Sequence, residues 1–245
     1  MAAHELYLLH LGKLGAGDDG QTYWGQVPGY LIRTASGRTI LVDTGNPQVL
    51  IGKETAAPWW GLLNDTRPED DIVARLAEMG LAPGDVDLLI STHFDFDHCG
   101  RHDVFAAAGT ESLVQRSHLE AAQDDPRFDR ALWDLPGIRY TAVDGDVELE
   151  PGLRLLLTPG HVAGHQSVFV ETADGPVLLA IDAISNGAHL DLDDLPPQYA
   201  DADAAKGSRE RLRDLAAEAE ATILFGHDGE QWATLPKSPA PFRRP

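Results

Sequence analysis

Four residues able to bind a metal fall within the short run His93-Phe94-Asp95-Phe96-Asp97-His98. Neutral imidazoles and ionised carboxylates are the donors that zinc, iron, cobalt and manganese take from proteins. A donor at every second position fits an extended or tightly turning segment whose side chains converge, whereas a helix would spread them around its axis. Further histidines and an aspartate downstream complete a set of His93, Asp95, Asp97, His98, His161, Asp182 and His227. That is enough for two cations a few ångströms apart. The competing reading, a polar turn facing solvent, leaves the downstream donors without a purpose. His4, His10, His102, His118, His165 and His189 read as structural or surface groups, with His165 the candidate to orient a ligand.

These side chains need elements that carry them to one place. Glu5–Leu11 reads as an opening strand, followed by a glycine-rich turn region from Gly12 to Gly20. Gly29–Thr34 and Arg38–Asp43 flank Ala35-Ser36-Gly37 as a hairpin whose second strand ends in Asp43-Thr44-Gly45. Pro68–Gly80 reads as a helix with Ile72, Leu76 and Met79 on one face. Asp87–Thr92 is a short apolar strand leading into the metal-like run. The same order recurs where Leu153–Thr158 precedes His161, where Val177–Ile181 precedes Asp182, and where Thr222–Phe225 precedes His227. A helix over about Ser208–Glu220 lies before the last of these. Five strands thus end near a His or Asp, and polar groups gathered at one sheet edge are where α/β proteins build sites. Hairpins mixed with helix-linked strands predict mixed sheets covered by helices.

With 245 residues, 43% hydrophobic and 24% charged, the chain is expected to form one domain over residues 1–245, with residues 236–245 a proline-rich, mobile tail. A net charge of −20 disfavours nucleic acid and anionic membrane surfaces as partners. Cys99 is the only cysteine, so no intrachain disulfide can form. No apolar run approaches the roughly 20 residues that span a bilayer, and the start lacks a basic leader, so the cytoplasm is the expected location.

Leu41-Val42-Asp43-Thr44-Gly45, His93-x-Asp95-x-Asp97-His98-x-Gly100, Thr158-Pro159-Gly160-His161, Ile181-Asp182-Ala183 and Phe225-Gly226-His227-Asp228, in this order, resemble the metallo-β-lactamase-fold hydrolases, most closely their N-acyl-homoserine lactonase branch. The resemblance implies a four-layer αββα sandwich of the α/β class. It also implies that His93 and His161 bind a first metal, that Asp97, His98 and His227 bind a second, and that Asp182 bridges them, with Asp43 orienting the loop. Two such cations, zinc by expectation, lower the pKa of water from about 15.7 to about 7 and so supply a bridging hydroxide. The implied activity is hydrolysis of a small-molecule lactone, N-acyl homoserine lactones first (quorum quenching), with Asp97 shuttling a proton and a homodimer as the expected assembly. Alternatives are a hydrolase of another ester, a thioester or a β-lactam, a diiron redox protein, and a catalytically silent metal-binding protein.

Two positions depart from that pattern. Asp95 stands where the family has histidine, and a carboxylate there shifts preference toward iron or manganese. Ser185 stands where the lactonase branch has tyrosine, and a serine hydroxyl reaches less far and is a weaker acid than a phenol. Ser185 is kept as a catalytic candidate beside Asp97 and Asp182. Tyr23, Trp24, Trp59, Trp60, Phe94 and Phe96 are candidates to line an acyl-chain pocket, while Cys99 reads as packing.

Overall fold

Alternation along the first strand sets the layers. In β1 (Glu5–Asp18), Leu6 and Leu8 face one side while Tyr7, Leu9 and Leu11 face the other, and all are buried, so the strand is covered on both faces. The computed structural model describes residues 3–18, 21–53, 57, 59–191 and 198–244. In chain order β1 is followed by β2 (Gln21–Arg33), β3 (Thr39–Val42), β4 (Leu63–Asp65), β5 (Leu88–Ile90), β6 (Glu111–Gln115) and β7 (Arg139–Val143). These form a sheet of order β4-β1-β2-β3-β5-β6-β7, antiparallel from β4 to β3 and parallel from β3 to β7. A second sheet holds β8 (Val147–Glu150), β9 (Leu153–Leu157), β10 (Gln166–Thr172), β11 (Gly175–Ile181) and β12 (Thr222–Phe225), with only β11 and β12 parallel.

Leu6, Leu8, Ile40, Val42 and Ile90 of the first sheet meet Leu155, Val168, Val170, Leu179 and Ile181 of the second in one core. Each such side chain contributes roughly 1.5–3 kcal/mol by leaving water. Ile72 and Leu76 of α1 (Ile72–Glu78) and Phe105 cover the outer face of the first sheet. The helices that follow are α2 (Phe96–Cys99), α3 (His102–Ala108, carrying Phe105), α4 (Arg116–Ala121), α5 (Arg130–Trp133), α6 (Ala202–Ala219) and α7 (Gly229–Thr234). Leu212 and Ala216 of α6 cover Phe169, Leu178 and Ala180 on the outer face of the second sheet. The result is the αββα sandwich with mixed sheets.

Four local expectations are corrected. The glycine-rich region after Leu11 is strand as far as Asp18: Gly12, at φ 109°, lies in an irregularity between His10 and Lys13 that bends β1 without ending it. Residues 19–20 of that region lie outside the described residues. Pro68–Asp70 is a separate turn of 3₁₀ helix, and α1 starts only after Asp71, whose carboxylate accepts the Val73 N–H. The tail is tied down rather than mobile, because Ser238 and Phe242 donate backbone hydrogen bonds to Leu8 and Leu6 and Phe242 enters the inter-sheet core. α6 also starts earlier than expected, capped by Asp201.

Candidate metal centre

β3, β5, β9, β11 and β12 all point their C-terminal ends toward the same edge of the sandwich. Asp43 leaves β3 in the left-handed region at φ 58°, a costly conformation for a residue with a Cβ. Its Oδ1 accepts the Thr92 backbone N–H at 2.9 Å, and its Oδ2 accepts the Thr92 hydroxyl at 2.7 Å and the His98 Nδ1–H at 2.9 Å. The Thr92 Oγ1 in turn accepts from His93 Nδ1 at 3.0 Å. One buried carboxylate therefore sets the tautomer of two imidazoles and leaves both Nε2 lone pairs facing inward. His227 is oriented the same way, Nδ1–H to the Gln26 carbonyl at 2.8 Å.

The run after β5 is extended to Asp95 and then makes one helical turn, α2, whose His98 and Cys99 N–H groups donate to the Asp95 carbonyl. The Cys99 thiol donates to the Phe94 carbonyl, and burial pushes its pKa well up, so it packs rather than joins the donors. His118, read from sequence as structural or surface, is buried and joins two loops: its Nε2 accepts the Phe94 N–H at 2.9 Å and its Nδ1–H donates to the Ala163 carbonyl at 2.8 Å.

Asp182 follows Ile181, a β-branched residue at φ 52°. Its N–H donates to His165 Nε2, while His165 Nδ1–H is directed at Thr158 Oγ1. Gly226 lets the end of β12 come close, since a Cβ there would lie 2.7 Å from Asp182 Oδ1. Asp182 Oδ1 is 3.0 Å from His227 Nε2 and 3.6 Å from His98 Nε2, and its Oδ2 is 3.3 Å from His161 Nε2 and 4.0 Å from His93 Nε2. All seven residues read as ligands thus come together. They form two groups, His93, Asp95, His161 and Asp182 in one and Asp97, His98 and His227 in the other, with donor atoms within 4.8 Å of one another.

The donor set fits divalent cations. Among the described residues, His93 Nε2 and His98 Nε2 are buried with no hydrogen-bond partner and Asp182 Oδ1 with none of good geometry, a costly arrangement unless a cation takes their lone pairs. Burial raises the Asp97 pKa, reinforced by Asp182 and Asp95. Burial opposes ionisation of Asp182 as well, but His227, His98 and His161 hold it well below the usual carboxylate range. His98 and His227 are pushed up to about 10 and about 9 against their burial, chiefly by Asp97 and Asp182 for the former and Asp182 for the latter.

Arg127 has no sequence signature, yet it grips Asp95. Its Nε donates to Oδ1 at 2.7 Å and its Nη2 to Oδ2 at 2.5 Å, a two-pronged ion pair. Despite burial, bonds from Arg127 and His161, with the His93 imidazole close by, hold the Asp95 carboxyl well below its usual range.

A cavity of about 760 Å³ opens onto the centre. Asp95, Asp97, Asp182, Ser185 and His227 form its polar part, and Leu14, Tyr23, Trp60, Leu62 and Phe96 its apolar part. Trp59 stacks on Phe96 at 5.0 Å, whereas Phe94 lies in the core stacked on Trp133 and Trp24 faces a different hollow. Tyr199, which sequence reasoning passed over, places its hydroxyl 3.3 Å from Ser185 Oγ but is itself buried behind it.

Residues 22–227 match the family described as the metallo-beta-lactamase superfamily. The chain is 38% identical over 213 residues to an N-acyl homoserine lactonase of Bacillus sp., covering 82% of this chain and 81% of that relative. It is 30% identical over 247 residues to an N-acyl homoserine lactonase of Rhizobium radiobacter, covering 94% and 92%. Among solved structures it resembles an N-acyl homoserine lactone hydrolase with the product N-hexanoyl-L-homoserine bound at its catalytic metal centre, at TM-score 0.88 and 33% identity over 98% of this chain and 100% of that one.

Proposed function

The chain belongs to the metallo-β-lactamase superfamily, and from that membership we propose that it is a metal-dependent hydrolase that opens N-acyl homoserine lactones, a quorum-quenching activity. The observation that carries this reading is the convergence of six donor residues on Asp182 at the polar end of a half-apolar cavity. His93, Asp95 and His161 would hold one divalent cation and Asp97, His98 and His227 another, with Asp182 between them. Cations held there lower the pKa of water to about 7 and polarise an ester carbonyl.

The chain's own residues do the rest. Asp43, Thr92 and Gln26 keep the imidazole lone pairs aimed inward, so no reorganisation is needed when substrate arrives. Asp97 lines the cavity and, with its pKa raised by burial, is suited to receive the proton of the attacking water and return it to the departing alkoxide. Ser185 offers a hydroxyl at the cavity wall. Leu14, Trp60, Leu62 and Phe96 form an apolar wall for an acyl chain. Zinc is the proposed metal, with the Asp95 carboxylate making iron or manganese competitive.

Hydrolysis of short- and long-chain N-acyl homoserine lactones, followed before and after chelation and metal restoration, tests the reading. Expected are turnover, its loss with chelator and its return with metal. No lactone turnover by fully metallated protein overturns it, and turnover of a thioester or β-lactam alone would move the activity elsewhere within the same fold.

A further inference from the structure

We propose that Arg127 is a built-in cation of the first donor group, so that the two groups load unequally: Asp97, His98 and His227 with Asp182 take a divalent ion directly, whereas an ion at His93, Asp95 and His161 must first displace the guanidinium. This rests on the reading of the seven residues as ligands and deepens it.

The guanidinium is placed as a resident, not a passer-by. Nε and Nη2 occupy both oxygens of Asp95, Nη2 also lies 2.8 Å from His161 Nε2, and Nη1 donates to the carbonyls of His161 and Gln198 at 3.4 and 3.3 Å. With His161 Nε2 as acceptor, all five N–H groups of the arginine have partners. The ring of Trp60 lies against it, 5.0 Å from its central carbon.

The same contacts close the first donor group. Both Asp95 oxygens are engaged, and His161 Nε2 is engaged in either tautomer: a lone pair there accepts from Arg127, and a proton there is claimed by Asp95 at 3.0 Å. A divalent ion would bind that nitrogen at about 2.0–2.1 Å, which puts it against a positive charge already in hydrogen-bond contact with the same atom. No arginine or lysine is paired with Asp97, His98 or His227 among the described residues; an unpartnered Nε2 occurs in both groups, at His98 and at His93, so the guanidinium is what separates them. Asp95 and Arg127 act as a matched pair: a carboxylate in place of an imidazole is what retains the arginine.

Metal-stripped full-length protein titrated with zinc by calorimetry, with metal counted after desalting, tests this. Expected are one retained ion per chain and a second association roughly 10- to 100-fold weaker, the scale on which altering a ligand's partners acts. His227→Ala should remove the tight event, and Arg127→Gln should strengthen the weak one. Should Arg127→Gln fail to fold, NMR of the arginine Nε–H groups in the wild type serves instead: the Arg127 signal should persist through the first equivalent of metal and change only with the second. Two ions of equal affinity, a tight ion that survives His227→Ala, or an Arg127 signal lost with the first equivalent would overturn the proposal. The metal counts need no substrate, so equal binding with lactone turnover removes this inference alone, and one tight ion without turnover removes only the lactonase reading.

Discussion

Asp43 Oδ2 accepts the His98 Nδ1–H at 2.9 Å while the same oxygen, through the Thr92 hydroxyl, also orients His93. One carboxylate therefore governs an imidazole in each donor group. Asp43→Asn isolates its charge, because asparagine tolerates the left-handed backbone at φ 58°. Competition with a chromogenic chelator should show zinc affinity reduced roughly 10- to 100-fold, with the fold kept by circular dichroism. Unchanged affinity would mean that the imidazoles are oriented without it.

Asp95→His restores an imidazole donor but strands Arg127. Breaking a buried ion pair costs roughly 3–5 kcal/mol, and Asp95 and Arg127 side chains are only 9% and 13% exposed. The single variant should therefore lose stability in urea unfolding without gaining zinc, while Asp95→His combined with Arg127→Gln should recover stability and bind zinc more tightly. Additive effects across this double-mutant cycle would show that the two side chains are independent.

Acid should weaken the fold through buried neutral histidines. Burial lowers the His102 pKa to about 3 and, as the leading cause, the His118 pKa to about 4, against an unfolded value of about 6.5. Below that value the unfolded chain binds more protons than the folded one, so stability rises with pH. The stabilisation is complete above about 6.5 and is lost as pH falls toward 4 and 3. His102 bonds to Ser91 and Tyr140 hydroxyls, contacts a glutamine amide can share. Urea unfolding from pH 7 to 5 should show a shallower decline for His102→Gln than for wild type, and identical slopes would contradict the assignment.

Ser185 and Tyr199 divide one hydrogen bond between a cavity wall and its support. Ser185→Ala should lower kcat on a lactone by up to roughly 100-fold, the cost of one donor to a developing oxyanion, with KM little altered. Tyr199→Phe should do less, because its hydroxyl is 3.3 Å from Ser185 Oγ and does not face the cavity. Steady-state kinetics of both variants decides it, and equal losses would mean that the phenol itself meets the substrate.

What the sequence determined by itself was the delivery system. Short apolar runs ending just before a His or Asp, at β3, β5, β9, β11 and β12, are local patterns written in consecutive residues. They sufficed to assemble the donor list and to predict mixed sheets covered by helices, whereas the αββα layering and the orienting part of Asp43 came from the resemblance to the metallo-β-lactamase-fold hydrolases. Only the tertiary structure decided what surrounds those donors. Arg127 lies 32 positions from Asp95 in a loop of ordinary polar composition, and His118 ties Phe94 to Ala163 from a short helix. Phe242 leaves a proline-rich tail to fill the inter-sheet core. An ion pair or a hydrogen bond between distant segments has no periodicity and no fixed spacing. Its energy depends on burial and on distances of a few ångströms, which exist only once the sheets have brought their ends together.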